Sequence, residues 1–159
     1  MRMTDGADNA NVRFPPPLIY LIALVAGIVA GRTLKVPQPH IASNVRDLIA
    51  LVFMVSGAIV IYSGTGLFLR YRTAIIPHKP ASRLVTNGIY NWTRNPMYLG
   101  MALLYCGLAI VFDSLFALVL LPVVLVVIQT QVIAREETYL ERAFGDQYRA
   151  YKMRVRRWL

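Results

Sequence analysis

The chain has 159 residues, 57% of them hydrophobic and 16% charged, with 17 Lys+Arg against 8 Asp+Glu for a net charge of +9. Soluble domains carry roughly 25% charged residues. Here the apolar residues fall in long runs, which points to an integral membrane protein and away from a soluble nucleic-acid-binding module. The single cysteine, Cys106, excludes an intramolecular disulfide and a Cys-rich metal site, and His40 and His78 are too few and too dispersed to ligate a metal.

Residues 1–17 read as a disordered, polar lead ended by Pro15, Pro16 and Pro17. A first span is expected at 18–34. Gly27 and Gly31 lie four apart inside it, a small-residue face that permits close helix approach. The region before it is nearly neutral, so a retained span is favoured over a cleaved signal peptide. A second span is expected at 48–69, capped by Ser43 or Asn44, with Gly57, Gly64 and Gly66 among its small residues. A basic loop follows at 70–96. The third span, 97–112, is short for a hydrocarbon core of about 30 Å. A turn at Asp113 and Ser114 joins it to a fourth span, 115–133, in which Pro122 is expected to produce a kink.

Beyond 133 a helix is expected to continue to 159. Ile133, Glu137, Leu140, Phe144, Tyr148, Tyr151, Val155 and Trp158 recur at steps of three and four, while Arg135, Arg142, Arg149 and Arg156 recur at seven. One apolar and one basic stripe suit a membrane interface. Gly145 is a point of interruption. Residues 18–159 thus read as one all-α, polytopic membrane helix bundle of about four spans with an amphipathic cytoplasmic helix. Fourteen Lys/Arg fall on the side of both ends and the 70–96 loop, against three on the other. The positive-inside rule then places both termini in the cytoplasm, as in a prokaryotic inner membrane.

Three groups of residues carry candidate chemistry. Glu137 is the odd member of the apolar stripe, and a buried acid needs a partner, here Arg94 or Arg83, or a solvated cavity. Glu136 points elsewhere on a regular helix and suits a solvated role. Arg94, Asn95 and Pro96 precede the third span, where proline suits the first helical turn and the open N–H groups with Arg94 attract a carboxylate or phosphate. Tyr90, Trp92 and Tyr98 offer a cation–π wall. The structural alternatives are an ion pair for Glu137, a snorkelling Arg94 and an interfacial aromatic belt. Gly64 and Gly66 lack the strand and third glycine of a dinucleotide loop, and either pack helices or admit a cofactor to the backbone. Tyr62, Tyr105 and Cys106 read as packing residues, and His78 as part of a rigid loop.

The pattern Leu84, Val85, Thr86, Gly88, Tyr90, Arg94, Pro96, Tyr98, Gly100, followed by Glu136, Glu137, Leu140, Phe144, Gly145, Tyr148 and Tyr151, resembles the isoprenylcysteine carboxyl methyltransferase family over residues 82–155. Gly64, Gly66, the Asn95–Gly100 segment and the acid pair also resemble the related phospholipid N-methyltransferases. The resemblance implies an S-adenosylmethionine-dependent membrane methyltransferase. Its donor contacts carry over to Leu84, Val85, Tyr90, Asn95, Pro96, Met97, Tyr98 and Glu136 or Glu137, with Gly64 and Gly66 beside them. Arg94, Glu137 and Tyr98 become the candidate catalytic residues. The implied acceptor is a lipidic or prenylated hydrophobic small molecule that enters from the bilayer, with membrane lipids as the surroundings and no nucleic-acid partner. The alternatives are phospholipid N-methylation or a non-catalytic, lipid-binding scaffold of the same fold. Two departures weaken a prenylcysteine carboxylate as acceptor. Histidines of the carboxyl methyltransferases are Ser82 and Asn95 here, and the turn that carries their substrate-binding arginine holds Val132 and Ile133.

Overall fold

The structure, a computed structural model, describes residues 14–39, 41–71 and 83–159. The polar lead over 1–13, His40, His78 and Ser82 lie outside the described residues. The described residues form helices with no strand: α1 (Pro16–Thr33), α2 (Ser43–Arg70), a single 3-10 turn (Gly88–Asn91), α3 (Pro96–Val111), α4 (Leu115–Val127), α5 (Ala134–Phe144) and α6 (Asp146–Arg154). Helix α4 runs into α5 through a π-helical stretch, Ile128–Ile133, which makes one 30-residue rod from Leu115 to Phe144. That rod, α1 and α2 are each long and apolar enough to cross a membrane, and α3 is a shorter apolar helix. The expected polytopic helical bundle is therefore present.

The termini of the elements differ from the sequence reading where local chemistry differs. Pro16 and Pro17 do not end the lead but open α1, because proline at the first helical positions loses no intrahelical bond. Helix α2 begins at Ser43, five residues before the expected span, and neither Ser43 nor Asn44 caps it; Ala42 precedes it without a side-chain cap. The last helix does not reach 159. Gly145 breaks it at φ 52°, ψ −124°, and α6 ends at Arg154.

Helix α3 is central, packed against α1, α2 and α4. Its contact with α2 is very close. A Cβ on Gly57 would sit 2.7 Å from the Gly100 carbonyl, and one on Gly107 would sit 3.0 Å from the Ala50 carbonyl. Helix α2 buries only Ala50, Gly57 and Gly64, a seven-residue repeat of small side chains that forms one narrow seam. Without a hydrophobic driving force inside a bilayer, such backbone-to-backbone packing is what associates helices. The Gly27 and Gly31 face is used within the chain: their Cβ positions abut Ala117 and Phe116.

Two buried core hydroxyls are matched to backbone carbonyls, as a water-free interior demands. Tyr20 Oη donates to the Tyr98 carbonyl at 3.0 Å, and Tyr105 Oη donates to that of Ala117 at 2.9 Å. Tyr105 is thus a packing residue as expected. Tyr62 is not: it is 80% exposed and points off α2 into the surroundings. At one end of the bundle, Arg46 pairs with Asp113 at 2.5 Å, and Gln38 Oε1 accepts from Leu115 N at 3.0 Å. These contacts tie the ends of α1 and α3 to the starts of α2 and α4. All the candidate chemistry lies at the other end.

Candidate functional site

Four segments converge at that end: the Gly88–Asn91 turn, the N-terminus of α3, the first turn of α5, and α6 with residues 155–158. Gly88 is at φ 61°, and its Cβ position lies 3.0 Å from Leu67 Cδ1, so the turn needs glycine. The turn presents Tyr90 inward. Val85, Tyr90, Tyr148, Tyr151 and Val155 form a small apolar cluster, with Leu84, Phe68 and Phe144 packed around it. Tyr151 Oη donates to the Tyr90 carbonyl at 2.7 Å, which fixes the turn to α6. Phe68 meets the Tyr90 ring edge-on at 5.6 Å.

Trp92 departs from the sequence expectation. It is 79% exposed, because the turn ends there and sends its side chain outward. The inward aromatics are Tyr90, Tyr98 and Phe68. Arg83 likewise is not the partner of Glu137; its guanidinium lies over the Tyr71 ring at 5.2 Å.

Glu137 is buried, as its phase on the helix predicts, and it is doubly paired. Arg94 Nη1 lies 3.0 Å from Oε1. Arg157 grips both oxygens, Nε to Oε1 at 2.9 Å and Nη2 to Oε2 at 2.6 Å. That hydrogen bond to Glu137 raises the Arg157 pKa further above its ordinary value. Arg94 Nη1 also donates to Tyr148 Oη at 3.3 Å. Burial, reinforced by the Glu137 charge and opposed by Arg94, pushes the Tyr148 phenol up to about 12, so it stays protonated at neutral pH.

Glu136 is partnered within the protein rather than left to solvent. It is half-buried, and Tyr98 Oη donates to its Oε1 at 2.5 Å. Adjacent residues on α5 remain about 100° apart, so Glu137 keeps the more buried position, and Glu136 is engaged because the Tyr98 side chain reaches it from α3. The pair thus divides: Glu137 is saturated by guanidinium, and Glu136 shares a proton-bearing contact with Tyr98.

Asn95 does not cap α3. Its Nδ2 donates to the Arg157 carbonyl at 2.9 Å, and Thr93 Oγ1 donates to the same oxygen at 3.1 Å. The Arg94 backbone N–H donates to the Arg156 carbonyl at 3.0 Å. Pro96 and Met97 open α3 against α2 at Gly64. A Cβ on Gly64 would lie 3.4 Å from both Pro96 Cγ and Met97 Cγ, and 3.6 Å from Tyr90 Oη. Gly66 differs: its Cβ position meets nothing within 4 Å, so only Gly64 of the two is brought against the other site residues.

Two buried side-chain atoms lack any partner among the described residues, Tyr90 Oη and Arg94 Nε. Buried polar groups are nearly always satisfied, so two orphans in one small region suit a ligand with complementary polar atoms. Burial, then the Tyr151 and Glu136 charges, hold the Tyr90 phenol well above its ordinary pKa and keep it a hydrogen-bond donor. Sequence reasoning missed Arg157, Tyr148, Phe68 and Thr93. Arg157 had a signal, since it follows the basic stripe by one residue, but nothing local told which acid it meets.

No group of three or more metal-ligating side chains occurs among the described residues. No solved structure matches the chain. The family model for phospholipid methyltransferase matches residues 45–147. An uncharacterised protein of Haemophilus influenzae is 44% identical over 63 residues, which is 40% of this chain and all of that protein. A protein-S-isoprenylcysteine O-methyltransferase of Schizosaccharomyces pombe is 36% identical over 72 residues, 45% of this chain but only 30% of that enzyme. The family match spans α2, α3, α4, α5 and the start of α6, and so includes Gly64, Tyr90, Arg94, Tyr98 and both acids. The chain belongs to the phospholipid methyltransferase family of integral membrane methyltransferases.

Proposed function

We propose that this protein transfers a methyl group from S-adenosylmethionine to a lipidic or small hydrophobic acceptor at the cytoplasmic face of a membrane, with both termini on that face. The observation that carries the reading is the pair of unpartnered buried atoms, Tyr90 Oη and Arg94 Nε, beside the Gly64 cradle. The donor supplies an electrophilic methyl on a sulfonium, together with an ammonium and a carboxylate. The residues fit each of these. Arg94, with the uncapped start of α3, takes the carboxylate. Glu136 takes the ammonium. Tyr90, Tyr98 and Phe68 supply ring faces for the positive sulfur. Gly64 leaves room beside Met97 and Pro96, while Leu84 and Val85 back the aromatic wall.

Catalysis here rests on positioning. A carboxylate or thiolate acceptor needs no base. An amine acceptor must lose a proton, and the Tyr98–Glu136 pair is better placed to take it than Glu137, whose oxygens both hold arginine. The acceptor enters from the bilayer.

A transfer assay with labelled donor tests the reading and separates the acceptors. The panel is prenylcysteine analogues, phosphatidylethanolamine and small thiols, with the protein in lipid nanodiscs. Methyl incorporation into one class supports the reading. No incorporation into any class, and no hydrolysis-independent consumption of donor, opposes it. Asn95, Val132 and Ile133 lead us to expect that a prenylcysteine carboxylate is not the best member of the panel.

A further inference from the structure

Residues 155–158 are not helical, yet they are anchored along their length. Val155 is buried in the aromatic cluster, and the carbonyls of Arg156 and Arg157 accept from Arg94, Thr93 and Asn95. Trp158 Nε1 donates to Gln129 Oε1 at 3.0 Å, inside the π-helical stretch. The segment is a strap across the start of α3 and the first turn of α5.

We propose that Arg157 in this strap is a positioning residue that keeps Arg94 available for an anionic ligand. The proposal rests on the reading of the site as a donor pocket, and it concerns how the chain prepares one arginine for a carboxylate.

A guanidinium presents a fork of N–H donors that matches a carboxylate with two parallel bonds. Left alone with Glu137, Arg94 would use that fork on the acid. Arg157 occupies both Glu137 oxygens instead, so Arg94 meets the acid through Nη1 alone, an atom it shares with Tyr148 Oη, and its Nε has no partner among the described residues. Arg94 and Arg157 together carry one charge more than Glu137 neutralises, while the Glu136 carboxylate is turned to Tyr98. The strap therefore leaves Arg94 with a charge that Glu137 alone does not satisfy. Arg157 is one-third exposed and bonds Glu137, as Arg94 does, so its effect on Arg94 passes through that shared carboxylate.

The test is calorimetric titration of the purified protein with two ligands, S-adenosylhomocysteine and 5′-methylthioadenosine. The first carries the amino-acid carboxylate and the second does not. Arg157→Ala is expected to weaken S-adenosylhomocysteine about tenfold or more, the scale of one charge-assisted hydrogen bond. It should leave 5′-methylthioadenosine within about twofold, since that ligand does not use Arg94. Arg157→Lys keeps the charge without the fork and should fall between. Trp158→Phe removes the other strap anchor and controls for loosening of the segment; it should leave the ratio of the two affinities unchanged. Equal weakening of both ligands by Arg157→Ala, or the same selective loss in Trp158→Phe, overturns the proposal and makes the strap a purely structural tie. If the unaltered protein binds neither ligand, the donor-pocket reading itself fails and this inference falls with it.

Discussion

Tyr98 and Glu136, thirty-eight residues apart, are joined by a 2.5 Å hydrogen bond between the start of α3 and the first turn of α5. The tyrosine donates and the carboxylate accepts, so the contact binds the two elements that carry the family pattern. Hydrogen bonds to charged groups contribute about 1.5–3 kcal/mol. Tyr98→Phe should therefore lower methyl transfer by about 10- to 150-fold when that stabilisation acts in the reaction. The Tyr98 ring stays, so the fold should survive, which thermal melting in detergent checks. Steady-state kinetics then separate a donor KM effect from a turnover effect; unchanged kinetics would remove Tyr98 from the site.

Gly64 and Gly57 lie seven residues apart on one seam but face different neighbours. At Gly64 a methyl group meets only ordinary contacts at 3.4 Å or more. Gly64→Ala should fold with stability changed by less than about 1 kcal/mol, while donor affinity falls because the cradle is filled. At Gly57 the new methyl would sit 2.7 Å from the Gly100 carbonyl and 2.9 Å from Leu104 N, both backbone atoms. Gly57→Ala should cost about 1–3 kcal/mol or more from overpacking. Thermal unfolding and donor titration on both variants test this contrast. The reverse order of effects would mean the seam is misassigned.

Trp92→Ala should change donor affinity by less than about twofold, a shift under about 0.5 kcal/mol. Its side chain is turned outward. Tyr90→Phe, by contrast, removes a buried donor with no partner among the described residues. It should leave stability nearly unaltered and weaken donor binding by about the 0.5–1.5 kcal/mol of one neutral hydrogen bond. Binding isotherms for the two variants check both statements.

Gly145 has a positive φ and open space around its Cβ position. Gly145→Ala should destabilise by about 1 kcal/mol or somewhat more through backbone strain alone. The measurement is the midpoint of thermal unfolding; a stabilised variant would contradict the sharp break between α5 and α6.

Much of this was legible because helical periodicity and hydropathy are local properties. The spans, the tight turn at Asp113 and the burial of Glu137 followed from spacing alone. So did the apolar stripe from Ile133 to Val155, which survives the break at Gly145. The engagement of Glu136 was not legible. It depends on Tyr98, which reaches the carboxylate from α3, and the local spacing of α5 carries no sign of that distant partner. The strap was hidden for another reason: its bonds join residues 156 and 157 to 93–95 through backbone carbonyls, and these carry no side-chain signature. Trp92 and Tyr62 read as inward because aromatics at these depths suit either a site or a lipid interface, and only the direction of the Cβ separates the two.

The central claim is that the Gly64, Tyr90, Arg94 and Glu136 region binds S-adenosylmethionine. Its most direct test is isothermal titration of that donor into the purified protein, alongside Glu136→Gln. The account predicts saturable binding to the unaltered protein, weakened about tenfold or more by Glu136→Gln through loss of the carboxylate charge that meets the donor ammonium. Absence of binding, or binding that Glu136→Gln leaves untouched, would contradict it.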